Sequence, residues 1–129
     1  MTESQALDNE ALMQRLVHLV REKRGEDVVA LDVRDVVDYM DFMVIATARS
    51  ERQARAIADH VLRSLKHEGE RALSSAGAEE GSWICLDFVD VVLHVFTPPT
   101  RQHYDLELLW ADAKSVEIPE PEPARRSGT

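Results

Sequence analysis

The sequence predicts a single-domain α/β sandwich in which a mixed β-sheet is flanked by helices that pack on its faces. The length of 129 residues gives room for one domain with a hydrophobic core and little room for a second. Patterns typical of helices and strands follow one another in the order helix, strand, strand, helix, strand, strand, helix. Hydrophobic residues make up 44% of the chain, yet no apolar run approaches the ~20 residues that span a membrane, so we expect no membrane contact.

The first half of the chain predicts one amphipathic helix and two strands. Residues 8–24 carry apolar side chains at helical spacing, and Gly25 follows where a left-handed residue commonly ends a helix. The strand patterns are VVALDV (28–33) and FMVIATA (42–48), both rich in β-branched residues. Because the second run has few polar interruptions, we expect a central strand covered on both faces.

The second half predicts another helix, two strands and a last helix. Ser50, followed three residues later by glutamine, forms a capping-box pattern that opens a helix ending near Gly69. A polar loop (74–82) leads to two short strands within WICLDFVDVVLHVF (83–96). The prolines of TPPT end the second of these strands, and residues 101–113 return to helical spacing.

We divide the chain into a flexible N-terminus (1–7), a folded domain (8–116) and a tail (117–129). The tail repeats proline and charge and offers almost nothing to bury, which predicts disorder. The N-terminus is acidic before its first arginine and has no continuous apolar segment, so it matches neither a signal peptide nor a transit peptide. The single cysteine, Cys85, lies in an apolar strand pattern and is expected to be a buried, inert thiol. These features predict a cytoplasmic protein.

The distribution of charge favours a basic partner. The formal net charge is −9, which disfavours broad contact with phosphate backbones. Residues 86–112 hold one arginine against five acids, whereas residues 49–71 hold six basic and four acidic side chains. Arginines recur along the second helix, at Arg49, Arg52, Arg55 and Arg63. We interpret them as a solvated helix face, with a minor rRNA contact as the alternative.

Asp87, Asp90 and His94 raise the question of a catalytic or metal-binding cluster. GSWICLDFVD is superficially similar to nucleotidyltransferases, in which a Gly-Ser pair precedes two metal-binding aspartates. Those aspartates normally lie two residues apart on one side of a strand, whereas these two lie three apart and would diverge. Asp90 and His94 would be about 13 Å apart along an extended strand. A metal-dependent enzyme is therefore the less favoured hypothesis.

Two other interpretations of this hairpin stay open. In one, the aspartates bracket a turn and His94 packs at the sheet surface, bonded to a backbone group. In the other, Trp83 and Phe88 with acids around them form a protein interface, since such surfaces use aromatic anchors.

Several stretches together resemble the ribosomal silencing factor family, whose members are also called Iojap-related proteins. The matching residues are ALDV (30–33), DFMVIATARSERQARAIADHV (41–61), Gly77, WICLD (83–87), DVVLHVF (90–96) and RQHYDLELLW (101–110). They cover nearly the whole predicted domain, in the family's order and spacing. The resemblance implies a nucleotidyltransferase-like topology without the catalytic signature, and no cofactor or metal.

The resemblance also implies a function without catalysis. Family members bind the large ribosomal subunit through large-subunit ribosomal protein fourteen, and they prevent the small subunit from docking when nutrients run short. Some organellar relatives are linked to assembly of the large subunit, which is an alternative function here. An exposed apolar hairpin could also self-associate, giving a homodimer of the free protein.

The interface implied by the resemblance contains Trp83, Asp87, Phe88, Asp90, Tyr104 and Glu107. Tyr104 and Glu107 are three residues apart, so we expect them on one face of the last helix, where the ring anchors and the carboxylate pairs with a partner cation. Phe88 is expected at the hairpin tip, with Asp87 and Asp90 as flanking charge.

Three further positions either have two interpretations or differ from the family's usual residue. Trp110 is expected to be a core anchor of the last helix, with an interface role as the alternative. Val89 stands where the family commonly has glycine, and a β-branched residue resists the positive φ of a tight turn, which predicts a wider turn. Ala48 likewise replaces a frequent glycine before the second helix.

Overall fold

The computed structural model describes residues 8–120, and this part of the chain forms a six-stranded sheet with four helices. The strands are β1 (Glu26–Asp32), β2 (Phe42–Thr47), β3 (Ser74–Ala76), β4 (Trp83–Asp87), β5 (Val91–Phe96) and β6 (Lys114–Ser115). The helices are α1 (Asn9–Glu22), α2 (Glu51–His67), α3 (Pro98–Tyr104) and α4 (Leu106–Leu109). None of the helices in this described part is long and apolar enough to cross a membrane.

The sheet is mixed, as the sequence predicts. Its strand order is β3-β4-β5-β2-β1-β6. Within the described residues, β2 and β5 run parallel with Ile45 opposite His94, and the other neighbouring pairs are antiparallel. Every residue of β2 is buried, which confirms the prediction of a central strand covered on both faces.

Helices α1 and α2 cover one face of the sheet, called here the helix-covered face. Asp8 begins α1 by accepting a hydrogen bond from the Ala11 N–H at 2.7 Å. Ser50 begins α2 in the same way, through the Gln53 N–H at 3.1 Å, which confirms the predicted cap. The apolar stripes of both helices pack against alternate residues of the strands. The buried strand residues of this core include Val44, Ala46, Ile84, Leu86, Leu93 and Val95.

The opposite face of the sheet, called here the open face, has a smaller cover made by α3, α4 and the loop between β1 and β2. Leu106 of α4 is buried, and Trp110 packs against the same apolar cluster, which confirms the expected core role of Trp110. The sheet residues of this cluster are Leu31, Met43, Ile45 and Phe96. Because α3 has 7 residues and α4 has 4, the helical part of this cover is much shorter than the one formed by α1 and α2.

The last helix differs from the prediction. Instead of one helix over 101–113, α3 and α4 meet at Asp105, whose φ of 47° is left-handed. The Asp105 carboxylate accepts a hydrogen bond from the Leu108 N–H at 3.3 Å and so begins α4. Aspartate tolerates this conformation better than most residues and offers the backbone a local alternative to the helix. The apolar spacing continues past Asp105, so it does not predict that the helix is interrupted there.

Two short edge strands, β3 and β6, are absent from the prediction. β3 lies inside the predicted polar loop, and all three of its side chains are exposed. β6 has two residues, both exposed, and pairs with β1. Neither strand has an alternation of buried and exposed residues, which is the pattern that identifies a strand from sequence.

The end of α1 also differs from the prediction. Arg24 takes the left-handed conformation, with φ of 67°, whereas Gly25 does not. A Cβ atom at Gly25 would lie 2.3 Å from Cγ1 of Val20. Glycine is therefore needed at this position for close packing against the helix, and the conformational role falls on its neighbour.

The N-terminal segment predicted to be flexible (1–7) and most of the predicted tail (117–129) lie outside the described residues. Residues 117–120 contain no helix or strand. Ile118 packs against the core of the helix-covered face, and the Arg21 guanidinium donates to the Pro119 carbonyl at 2.6 Å. The first residues after the predicted domain boundary therefore lie against the domain.

Candidate protein-binding surface

The two faces of β4 differ in burial, and this difference locates the candidate site. Ile84 and Leu86 are fully buried beneath the helices, whereas Trp83, Cys85 and Asp87 are only partly buried on the open face. β5 continues this surface, because Cys85 lies opposite His94 and Asp87 lies opposite Val92. We call this region the β4–β5 surface; its residues are Trp83, Cys85, Asp87, Val92 and His94.

Trp83 and His94 are joined by a hydrogen bond across the two strands. The indole Nε1–H of Trp83 donates to Nδ1 of His94 at 3.0 Å. Burial lowers the pKa of His94 from 6.5 to about 4, so the ring is neutral at pH 7 and carries its proton on Nε2. His94 is therefore structural, as expected, but its hydrogen-bond partner at Nδ1 is the Trp83 side chain and not the predicted backbone group.

An aromatic cluster fixes the position of Trp83. The Trp83 ring stacks on the Phe96 ring with a centroid distance of 5.0 Å. The Tyr104 ring is a second neighbour of Trp83, with a centroid distance of 4.6 Å. Tyr104 is 50% exposed and forms an edge contact with His103 at 4.9 Å. Two amphipathic rings thus meet at the boundary between the sheet and α3, held in place and still open to solvent.

The hairpin turn at the other end of this surface is tight. The Asp90 N–H donates to the Phe88 carbonyl at 3.1 Å, which closes a three-residue turn centred on Val89. Val89 has φ of 79° and is 57% exposed, and its N–H donates to the Asp87 carboxylate at 2.7 Å. The prediction of a wider turn is wrong, because hydrogen bonds hold the β-branched residue in a strained conformation.

Phe88 does not lie where the sequence predicts. Its side chain is 7% exposed and packs into the core of the helix-covered face. The expectation that Phe88 presents its ring at the hairpin tip is therefore wrong. Because side chains alternate along the strand, Phe88 follows Leu86 to the buried side, and Val89 occupies the tip.

Asp87 and Asp90 diverge, as their spacing predicts. Asp87 caps the turn on the open face, whereas Asp90 accepts a hydrogen bond from the Asn9 amide of α1 at 3.2 Å. Within residues 8–120, no group of three or more His, Cys, Asp or Glu side chains could hold a metal ion. This geometry gives no support to a metal shared by the two aspartates.

Tyr104 and Glu107 do not share one helix. They lie on either side of the break at Asp105, Tyr104 at the end of α3 and Glu107 in α4. Glu107 already forms an ion pair with Arg101, with a shortest N–O distance of 2.9 Å. The prediction that the two residues share a helix face is wrong, and the Glu107 carboxylate has a partner inside the protein.

Two members of the surface, Cys85 and Val92, are not predicted as site residues by the sequence, and Cys85 is partly buried where the sequence predicts a buried thiol. Burial, followed by the Asp87 charge, raises the pKa of the Cys85 thiol, which agrees with an inert cysteine. Once the register of β4 against β5 is known, both residues fall on the same face as Trp83. The strand pairing is therefore the signal that would have identified them.

The arginines of α2 lie on the helix side of the molecule, away from this surface. Arg63 pairs with Asp59 at 3.1 Å, and Arg55 donates to the backbone carbonyls of residues 78 and 79. These contacts agree with the interpretation of a solvated helix face. A minor contact with rRNA stays a prediction.

A pre-ordered aromatic surface rimmed by carboxylates, on a sheet face without a full cover, is typical of a protein-recognition domain. A family model described as ribosomal silencing factor during starvation matches residues 6–129. A ribosomal silencing factor of Halalkalibacterium halodurans is 37% identical over 112 residues, covering 87% of this chain and 96% of that protein. The chain therefore belongs to the ribosomal silencing factor family.

Two further similarities bear on fold and function. A crystal structure of a Chromobacterium violaceum protein has a TM-score of 0.79 and 30% identity, covering 95% of this chain and 97% of that one. The mouse protein named mitochondrial assembly of ribosomal large subunit protein 1 is 31% identical over 98 residues, covering 74% of this chain and 43% of that protein. The predicted α/β fold is confirmed, and the family is one of ribosome-associated factors that is not a known enzyme family.

Proposed function

We propose that this protein binds the large ribosomal subunit through large-subunit ribosomal protein fourteen and blocks joining of the small subunit, especially under nutrient limitation. The observation that carries the proposal is the β4–β5 surface, where the open face keeps apolar and aromatic side chains accessible beside α3. Membership of the ribosomal silencing factor family supports a ribosomal target for this surface.

Trp83 and Tyr104 are the proposed anchors. Tryptophan and tyrosine are enriched among residues whose truncation costs the most binding energy. Contacts of Trp83 with Phe96 and His94 already order its ring in the free protein. Because little side-chain freedom then remains to be lost on association, more of the contact energy appears as affinity.

Asp87 and Asp90 are the proposed flanking charges. Both are partly exposed at the hairpin, Asp87 on the open face and Asp90 on the side of α1, within the acidic C-terminal half of the domain. A basic partner would be steered towards them, and the contribution of such rim charges falls as salt is added. The net charge of −9 would at the same time limit binding to exposed rRNA.

The proposed effect on translation is steric and needs no chemical step. If the protein and the small subunit compete for one place on the large subunit, occupancy by one lowers joining of the other by mass action. Such a protein would act in the cytoplasm together with ribosomes. The same accessible surface could pair two free copies, so binding to the ribosome would compete with a homodimer.

Assembly of the large subunit is a second candidate function. The name of the mouse relative describes assembly of the mitochondrial large subunit, and that relative is 31% identical to this chain. An assembly factor would use the same surface. Deletion of the gene for an assembly factor would cause immature large-subunit particles to accumulate. Deletion of the gene for a pure silencing factor would leave the large subunits mature and would raise the fraction of joined ribosomes in starved cells.

The proposal is tested with Tyr104→Ala, because Tyr104 is the more exposed of the two anchors. Loss of a hot-spot ring costs about 2 kcal/mol, which weakens binding roughly 30-fold. The experiment is sedimentation of purified large and small subunits with each variant, and we expect wild type to travel with large subunits and to lower the joined fraction.

The matched control is Tyr39→Ala, since Tyr39 is a tyrosine exposed to 66% in the loop between β1 and β2. We expect this variant to behave like wild type. If wild type does not sediment with large subunits, the proposal is wrong. If both tyrosine variants lose binding equally, the β4–β5 surface is not the binding site.

A further inference from the structure

Helix α3 carries one of the proposed anchors, Tyr104, but has no buried apolar side chain to hold it against the sheet. None of its residues is buried, and its cap residue Thr97 makes no side-chain hydrogen bond to the helix backbone. Apolar burial is what normally fixes a short helix against a sheet, because a helix of two turns is not stable alone. The position of Tyr104 therefore needs another cause.

Arg101 supplies a polar attachment in the middle of α3. Its Nη1 donates to the Asp27 carbonyl of β1 and to the Thr47 hydroxyl of β2, both at 2.7 Å. Its Nε and Nη2 donate to the two carboxylate oxygens of Glu107 at 3.2 and 2.9 Å. The side chain is only 13% exposed. One guanidinium thus links two strands and two helices.

The same residue spans the break between the helices. The Arg101 carbonyl accepts the Asp105 N–H at 2.8 Å, which closes the last turn of α3. The Arg101 side chain then holds Glu107 on the other side of the break. A bidentate pair fixes direction as well as distance, so the angle between α3 and α4 is determined largely by these bonds.

We propose that Arg101 is a positioning residue for partner binding, with Glu107 as its internal counter-ion: together they hold α3 so that Tyr104 lies against Trp83. This inference rests on the proposed function of the β4–β5 surface. It assigns Glu107 a role inside the protein in place of direct pairing with a partner cation. Arg101 does not itself contact the partner.

The expected effect of Arg101→Met on binding follows from the fraction of molecules in which Tyr104 is correctly placed. Methionine keeps an apolar stem and removes all four side-chain hydrogen bonds. If α3 then holds Tyr104 against Trp83 in about one molecule in ten, the affinity for large subunits falls about tenfold, because only that fraction is competent to bind. Arg101→Lys keeps the charge but cannot reproduce the planar fork, so we expect an intermediate loss.

The experiment has two readouts, one of which needs no partner. Amide hydrogen exchange on the free protein should become faster across residues 98–113 in Arg101→Met, with α1 and α2 unchanged. Affinity for large subunits is measured by sedimentation of the same preparations. The matched control is Arg15→Met, because Arg15 also holds a carboxylate with two nitrogens, that of Glu68, on the helix side of the molecule.

A double variant distinguishes positioning from a general loss of stability. If Arg101 acts through Tyr104, adding Arg101→Met to Tyr104→Ala should weaken binding less than about twofold further. The inference is overturned if exchange across 98–113 stays as in wild type, if Arg15→Met weakens binding as much as Arg101→Met, or if the two losses multiply. If wild type does not bind large subunits, the proposed function fails, and the exchange experiment alone decides whether Arg101 positions α3.

Discussion

The two faces of the sheet differ in how deeply their side chains are buried, although the same strands form both. In β5, Val91, Leu93 and Val95 point into the helix-covered face and are fully buried. The residues between them face the other way, where Val92 stays partly exposed. The strands are the same, so the difference arises from what covers each face: two long helices on one, and two short helices with the loop between β1 and β2 on the other.

One sheet thus serves both stability and recognition. The helix-covered face removes apolar surface from water once, during folding, and gains about 25 cal/mol for each Å². The open face keeps part of its apolar surface for a later partner, and an apolar surface left accessible in this way is typical of an interaction site. Three expected outcomes, from the largest to the smallest, test this difference between the two faces.

The largest effect is a dependence of stability on pH that comes from the open face. His94 has its pKa lowered from 6.5 to about 4 in the folded protein, so below pH 6.5 the unfolded chain binds a proton that the folded chain resists. Stability is therefore complete above pH 6.5 and falls as the pH drops towards 4, by about 3 kcal/mol in total. Urea unfolding measured in steps of pH should show this slope.

The control is His94→Asn, whose amide oxygen can replace Nδ1 as acceptor for Trp83 and does not titrate. We expect the slope between pH 6.5 and 5 to disappear in this variant. The carboxylates with lowered pKa, among them Glu22 and Glu68, lose their contribution at lower pH and do not obscure this range. An unchanged slope in His94→Asn would show that another group is responsible.

The second effect compares two valines of one strand. Val95→Ala on the helix-covered face should lower the free energy of unfolding by about 2 kcal/mol, since it removes buried methyl groups and leaves a cavity. Val92→Ala on the open face should cost less than about 1 kcal/mol, because its side chain is already partly hydrated. Urea midpoints at pH 7 measure both.

Binding to large subunits should show the reverse order for these valines. Val92→Ala removes apolar contact from the β4–β5 surface, whereas Val95→Ala leaves that surface intact. Equal losses of stability in the two variants would mean that the open face is as well covered as the other face, and the division proposed here would not hold.

The smallest effect concerns the turn that connects the two strands of the surface. Val89→Gly should raise the free energy of unfolding by about 1 kcal/mol, because glycine adopts φ of 79° without the strain that a β-branched side chain suffers. Val36→Gly is the control, since Val36 is an exposed loop valine without a positive φ. There the added freedom of the unfolded chain should make the variant less stable. A destabilised Val89→Gly would contradict the strained turn.

Much of the fold could be predicted because its signals are local. The cap at Ser50 and the apolar stripe after it specify α2, and the uninterrupted run from Phe42 specifies a central strand. The candidate site was predicted less well. The resemblance assigns Trp83 and Tyr104 to one interface, whereas Phe88, which it predicts at the hairpin tip, is buried in the helix-covered core.

The class of fold, the order of its main elements and the family follow from local sequence patterns, namely periodicity, helix caps and the residues shared with the family. Which apolar side chains stay accessible depends on the tertiary structure, because burial depends on which elements cover a face. The tertiary structure also decided that Asp105 divides the last helix and that Glu107 pairs with Arg101. The Arg101 guanidinium also contacts groups far apart in sequence, the Asp27 carbonyl and the Thr47 hydroxyl, and no local sequence pattern indicates those contacts.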